Sequence, residues 1–307
     1  MTQLLDQLAD RGIQVTRGVE WGGDHIPMMP VSAPPTSSLA GMAELVTCTI
    51  SDDIAHVRLN RPDKLNALTL DTLRQLVATA RMLRGERTLR AVVVSGEGTS
   101  FCAGLDFGTV MKKPGGIVRA FVPLPWRGTN LFQEACWAWR RLPVPVIAAV
   151  EGHCFGGGLQ IALAADFRIA TPDSEWSVLE GRWGLIPDMS GIQSLKELVG
   201  IDTAKRLTMT AAIVSGKEAA ELGLVTELAA DPVTAAEELA RELATRSPDA
   251  VAATKRLFNK SWTSSARVTF ARERFEQLYL LGAANTRAAR TAAFKKASPV
   301  FGPRGRR

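Results

Sequence analysis

The stretch Val146-Ile147-Ala148-Ala149-Val150-Glu151-Gly152-His153-Cys154-Phe155-Gly156-Gly157-Gly158-Leu159-Gln160 decides the fold. Five apolar residues between Pro145 and Glu151 read as a strand buried on both faces, the kind a parallel sheet uses. Three consecutive glycines then pass into Leu-Gln-Ile-Ala-Leu-Ala, so a tight turn into a helix opening at Gly158 is expected. Such a turn leaves backbone N–H groups free at the positive end of the helix dipole, where a developing oxyanion or a phosphate is stabilised. The P-loop pattern and the dinucleotide-binding glycine fingerprint are both absent. Taken alone, three glycines serve equally well as a structural turn.

Working outward, a second strand-to-loop junction precedes the first. Ala91 to Val94 is a short apolar strand, followed by Ser100-Phe101-Cys102-Ala103-Gly104-Leu105-Asp106. Further upstream, Leu45 to Ile50 and Ile54 to Leu59 read as paired strands around Ser51-Asp52-Asp53. Thr69 is a fitting N-cap for a helix carrying Leu73, Leu76, Val77, Ala80 and Leu83 and ending at Gly85. A loop region to about Arg127 leads into a helical stretch that runs to Arg141 and stops at Pro143 and Pro145. Beyond Gly158, a strand is expected at Phe167 to Ala170, and helical patterns dominate from Leu195 onward. Strands alternating with helices indicate an α/β fold.

Three regions follow: 1–41, 42–245 and 246–307. The first holds Gly22-Gly23, Met28-Met29-Pro30 and Pro34-Pro35 and no apolar stretch suited to a secretory signal. It reads as a poorly ordered extension, and translation starting at Met42 would also fit it. No apolar run reaches the roughly 18 residues of a membrane span. Four cysteines (Cys48, Cys102, Cys136, Cys154) lie far apart without CxxC spacing, which suits reduced thiols in the cytoplasm. With His25, His56 and His153 they form no spaced cluster, so no metal site is expected. The net charge of +6 is uneven. Residues 251–307 hold 13 Lys and Arg against Glu273 and Glu276, an excess of eleven, so residues 1–250 sum to minus five. That basic segment reads either as a solvated helical face or as an attractor of a polyanion.

The ordered series Arg61-Pro62-Asp63-Lys64-Leu65-Asn66-Ala67-Leu68, Phe101 to Asp106, Val150 to Gly158, Ala165 to Ala170 and Gly184-Leu185-Ile186-Pro187 resembles the crotonase (enoyl-CoA hydratase/isomerase) superfamily. Ala293-Phe294-Lys295-Lys296 through Phe301 looks like that family's terminal helix and tail, and the resemblance spans about 44–302. It implies a spiral of ββα units with a C-terminal helical trimerisation region, as a homotrimer or a dimer of trimers. It implies an acyl-CoA substrate whose thioester carbonyl is gripped by the N–H groups of Leu105 and Gly157. Lys64, Asn66, Ala67, Ala103, Gly104 and Gly156 would line the CoA path, with Lys295 or Lys296 contributing to it. Coenzyme A arrives as part of the substrate, and no further cofactor is implied.

Departures from the family pattern bear on the reaction. Family hydratases carry a glutamate two residues after the third glycine and another in the later loop; here these positions hold Gln160 and Glu180. An amide cannot carry a proton, which disfavours hydration by paired carboxylates. Asp188 stands where family dienoyl-CoA isomerases place an acid. A double-bond isomerase with Glu180 as acid/base, Asp188 as its partner and Gln160 in the same site is therefore favoured. The alternative is a hydratase in which Gln160 orients water for Glu180. A further reading is a weakly catalytic RNA- or protein-binding member using the basic segment, against which stands the lack of interleaved aromatic residues there. More ordinary readings pair Glu180 with Arg182 at the surface, make Asp188 a turn former, make His153 a packed loop residue, and put Trp176 and Trp183 in pocket wall or core.

Overall fold

The computed structural model of the protein describes residues 43–112 and 114–305. The expectation for residues 1–41 lies outside them. The chain begins with β1 (Val46–Ser51) and β2 (Ile54–Leu59), an antiparallel hairpin in which Ser51 pairs with Ile54. Asp52 and Asp53 both take positive φ, 50° and 61°, which a two-residue turn matching the strand twist requires and which Asp tolerates. Thr69 caps α1 (Leu70–Gly85): its hydroxyl accepts from the N–H of Thr72 at 3.1 Å, while the Thr72 hydroxyl accepts from the N–H of Thr69 at 3.2 Å. Leu73, Leu76, Val77, Ala80 and Leu83 form the buried stripe of that helix.

After β3 (Ala91–Gly96) come two short helices that the sequence reading treats as loop, α2 (Phe107–Val110) and α3 (Pro114–Phe121). Then follow α4 (Leu131–Arg140), β4 (Val146–Val150), the three-residue strand β5 (His153–Phe155) and α5 (Gly157–Ala164). Next are β6 (Phe167–Ala170), β7 (Glu175–Ser177), a 3-10 turn at Leu179–Trp183, α6 (Gly191–Leu198) and α7 (Ile201–Thr210). The chain continues through β8 (Val214–Ser215), α8 (Gly216–Glu221), β9 (Glu227–Leu228), α9 (Pro232–Ala244), α10 (Pro248–Ser261), α11 (Ala266–Gly282) and α12 (Ala284–Lys295).

Two sheets organise these elements. The larger runs β1-β2-β3-β4-β6-β9, parallel from β2 onward; the smaller runs β5-β7-β8. Successive turns of chain give a strand to the large sheet and then a short strand to the small one: β4 then β5, β6 then β7. This is the expected α/β spiral. Alternation along the large sheet fixes its two faces. Val57, Leu59, Val92, Val94, Ala148 and Val150 enter the main core with α1, α4 and α5. Ile54, Ala91, Val93, Ile147, Ala149 and Ile169 pack instead against Ala236 and Ala240 of α9. Burying a side chain such as Ile147 stabilises the fold by about 1.5–3 kcal/mol.

The expected boundary at 245/246 falls in the turn between α9 and α10. From there the chain packs back on the spiral through its cations. Lys255 pairs with Asp166 at 2.6 Å and donates to the Val144 carbonyl at 2.8 Å. Arg256 makes a two-pronged pair with Glu276 at 3.0 and 2.7 Å, tying α10 to α11. Arg304, 4% exposed, donates to the carbonyls of Glu86 and Leu89 beyond α1, and its own N–H donates to the Arg87 carbonyl at 2.8 Å. Part of the C-terminal basicity is thus internal, a use that neither sequence reading of it foresees. No helix among the described residues is long and apolar enough to cross a membrane.

Candidate active site

The two junctions singled out in the sequence are stitched together by backbone. Cys102 N–H donates to the His153 carbonyl at 2.8 Å and Phe155 N–H to the Cys102 carbonyl at 2.9 Å, a parallel bridge joining the loop after β3 to β5. A second bridge pairs Leu68 with Leu105: Leu68 N–H donates to Gly104 O at 2.7 Å and Asp106 N–H to Leu68 O at 2.8 Å. In a parallel bridge both bonds go to the neighbours of the central residue, so the N–H of Leu105 faces the other way. It finds no acceptor in the described fold, nor does that of Gly157, the first residue of α5.

Gly156 holds the turn between β5 and α5 at φ 51°, ψ −118°, a conformation in effect reserved for glycine. Gly158 is needed for a different reason. A Cβ there would stand 2.5 Å from the Cβ of Cys102 and 2.7 Å from its carbonyl oxygen, so α5 sits hard against the Cys102 loop.

Several neighbours hold the loops in place. The Asn66 side chain, 1% exposed, donates to the carbonyls of Glu97 (2.9 Å) and Ser100 (2.7 Å) and accepts from the N–H of Arg61 (2.8 Å). Its side chain is therefore a latch, and only its backbone remains for lining a CoA path. Arg61, which the sequence reading did not single out, bonds the Ala67 carbonyl and pairs with Asp106 at 3.1 Å. Burial raises the Asp106 pKa, yet hydrogen bonds from Thr109 and Arg61 outweigh it and hold the carboxyl below its ordinary range. His153 links Ser100 (2.9 Å) to Glu175 (3.4 Å), an order reminiscent of a nucleophile relay. Ser100 is only 3% exposed and does not line the cavity, so its hydroxyl does not reach that space.

Leu105 and Gly157 open on a cavity of about 500 Å³, which Ala103, Gly104 and Gly156 also line. Two carboxylates, Glu180 and Asp188, reach it. Its apolar wall comes largely from elements the sequence reading missed: Phe107 and Val110 of α2, Ile117 and Phe121 of α3, with Phe132 of α4. Phe107 packs on Trp183 and Phe121 on Phe132, each with ring centroids 5.0 Å apart. The amphipathic run Ile117 to Phe121 was the available signal. Trp176 belongs to the core, with Nε1 donating to Ser174 Oγ at 3.0 Å.

Glu180 lies next to the turn glycine: a Cβ on Gly156 would be 3.4 Å from its Oε1. Among the described residues it makes no ion pair, with Arg182 or otherwise. Its Oε2 is buried without a hydrogen-bond partner. Burial pushes its pKa up, with Asp188 adding to the rise, while its own backbone N–H and the Gln160 amide act against it. Burial likewise raises the Asp188 carboxyl. Gln160 does not line the cavity. It is fully buried behind Glu180, donating to Oε1 at 2.5 Å. Lys64, Ala67, Lys295 and Lys296 also lie outside the lining, the lysines being exposed. Among the described residues no three His, Cys, Asp or Glu side chains converge as a metal site would need.

Comparison with known proteins agrees with this arrangement. The sequence model of the enoyl-CoA hydratase/isomerase family matches residues 49–302. The mitochondrial Delta(3,5)-Delta(2,4)-dienoyl-CoA isomerase of Rattus norvegicus is 34% identical over 213 residues, covering 66% of this chain and 64% of that protein. The short-chain-enoyl-CoA hydratase of Clostridium acetobutylicum is 35% identical over 211 residues, covering 67% of this chain and 78% of that protein. The crystal structure of enoyl-CoA hydratase from Mycobacterium tuberculosis H37Rv superposes with a TM-score of 0.74 at 30% identity, covering 85% of this chain and 99% of that one. The chain belongs to the enoyl-CoA hydratase/isomerase family.

Proposed function

We propose that this family member is an acyl-CoA double-bond isomerase in which Glu180 moves the proton and the N–H groups of Leu105 and Gly157 hold the enolate oxygen. The observation that carries this reading is the state of Gln160. A hydratase with paired carboxylates needs a second proton-carrying group at that position. The amide there cannot ionise, and it is buried away from any water in the cavity.

The chemistry follows from what remains. With a 3-enoyl thioester bound, two N–H donors polarise the carbonyl and acidify C2. Glu180 Oε2 takes the C2 proton, and the C–H electron pair moves into a dienolate whose oxygen rests between Leu105 and Gly157. Return of the same proton to C4 yields the conjugated 2-enoyl thioester and restores the carboxylate. A 3,5-dienoyl thioester needs its new proton at C6, beyond the reach of one carboxylate. Asp188, raised in pKa and lining the same cavity, is the group to supply it. Glu180 then ends protonated and Asp188 ionised, and exchange with solvent resets the pair.

Coenzyme A is part of the substrate and no other cofactor enters. The exposed Lys64, with Lys295 or Lys296, would bind its phosphates. Exposed Phe270, Leu278 and Leu281 on α11 favour burial against further copies, as a homotrimer or a dimer of trimers. Four free cysteines fit a cytoplasmic setting. The test is a panel of acyl-CoA thioesters with product analysis. Turnover of 3-enoyl- or 3,5-dienoyl-CoA, silence on crotonyl-CoA and loss of activity in Glu180→Gln are expected. Conversion of crotonyl-CoA to its 3-hydroxy thioester at a comparable rate would make the protein a hydratase.

A further inference from the structure

Gln160 touches both segments that carry the cavity's acids. Its side-chain oxygen accepts from the N–H groups of Met189 and Gly191, each at 2.8 Å, and its nitrogen donates to Glu180 Oε1 at 2.5 Å. The two ends of a glutamine amide are often hard to tell apart. Here two backbone donors can meet only an oxygen, so the NH2 group must face Glu180. The side chain has no room to turn. It is 0% exposed, and a Cβ added at Gly191 would stand 2.6 Å from its oxygen.

We infer that Gln160 is a positioning residue: its N–H binds Glu180 Oε1 so that Oε2 is the proton-carrying atom, and its carbonyl, held by Met189 and Gly191, fixes how far Asp188 stands from Glu180. The inference rests on proton transfer by Glu180 as proposed above. Three facts agree with it. Oε2 is the atom left without a partner. Asp188 immediately precedes one of the two anchored N–H groups. A donor to Oε1 stabilises the ionised carboxylate, opposing the burial and the neighbouring acid that would otherwise keep it protonated. A glutamate in place of Gln160 would present an acceptor to an acceptor.

Other ionisable groups around the pair are few. Asp188 faces Glu180 from the loop before α6, and the buried thiol of Cys136 on α4 lies close enough to feel both carboxylates. On α4, Glu134 is engaged by Arg127 and Arg141; on α6, Glu197 is engaged by Arg140. Arg182, Lys205 and Arg206 are exposed.

The experiment uses the full chain with Gln160→Met and Gln160→Glu. The pH dependence of kcat and KM is followed on a 3-enoyl-CoA, and Glu180 is titrated by carboxyl 13C NMR, which needs no turnover. Gln160→Met should lower kcat about 10²-fold, the scale of a misplaced reacting group, with KM little changed and the Glu180 midpoint moved up. Gln160→Glu should work while its new carboxyl is protonated, since it then donates as the amide does. It should lose activity as pH rises through the ionisation of that carboxyl, a limb absent from the parent protein. Gln160→Met with parental kcat and an unmoved Glu180 midpoint would overturn the inference. Should Gln160→Met not fold, a Gln160→Glu profile parallel to the parent's at every pH overturns it as well. Absence of 3-enoyl-CoA turnover in the parent protein refutes the proposed reaction instead, and the NMR titration still decides the role of Gln160.

Discussion

Replacing Gly158 by alanine tests the oxyanion geometry without touching either donor. The added methyl would lie 2.5 Å from Cys102 Cβ, 2.7 Å from Cys102 O and 2.8 Å from Cys102 Sγ. Carbon atoms pack at roughly 3.5–4.0 Å, so relief requires a separation of about 1 Å. Neither side yields easily. Cys102 is held at both its N–H and its carbonyl by β5, and its thiol donates to the Asn66 carbonyl at 3.2 Å. The displacement therefore moves the start of α5, with Gly157, relative to the loop that carries Leu105. Donors must lie within about 2.7–3.1 Å of the oxyanion, and losing one costs roughly 10²–10³ in kcat. A fall of that size is expected, with a stability loss of about 1–3 kcal/mol from overpacking. The assay is the initial rate of conjugated-thioester formation from a 3-enoyl-CoA, with melting temperature alongside. Gly85→Ala, where the methyl meets nothing within 4 Å, serves as the control. Parental kcat in a folded Gly158→Ala variant would refute the assignment of these two loops as the oxyanion site.

Asn66→Ala strands one N–H and two carbonyls in a buried loop and should cost about 2–4 kcal/mol, read as a lower denaturation midpoint. Arg304→Ala removes a buried cation from the carbonyls of Glu86 and Leu89; a loss of about 2–4 kcal/mol and a drop in melting temperature are expected. Because the Glu180 carboxyl is raised and must be ionised to act, kcat/KM should fall as pH drops through a midpoint above the ordinary value of about 4.3. The stability sign is opposite. A raised carboxyl favours the fold fully only below its unfolded pKa, and that contribution is lost as pH rises through the folded value. Glu180→Gln should thus gain melting temperature over the parent between acidic and neutral pH, and a pH-independent difference would count against a raised pKa.

Much of the fold can be read locally. The hairpin needs only alternation and two turn aspartates, and α1 needs Thr69 and a clean apolar stripe. Strands β5, β7, β8 and β9 escape because two or three residues show no period; they exist because neighbouring turns of the spiral offer them partners. Helices α2 and α3 are hidden for a related reason: four and eight residues are too few to announce themselves, and their apolar side is explained only by the cavity it walls. Within the site, glycines and carboxylates stand out as residue types. The tasks of Asn66, Arg61 and Gln160 do not, since an amide or guanidinium names no partner until distant segments are brought beside it.

The anchoring of Arg304 also sets an order of events during synthesis. Arg304 and the Glu86 carbonyl it binds are separated by 218 positions. At about 5–20 residues per second, the groups beyond α1 wait roughly 10–40 s for the side chain that will cover them. Until then water must serve those carbonyls, and the connection from α1 to β3 stays open. The spiral can form as it emerges, but the joint between its first helix and segment 301–305 closes last, so a fusion or truncation that delays that segment lengthens the exposure of the first-made half of the protein.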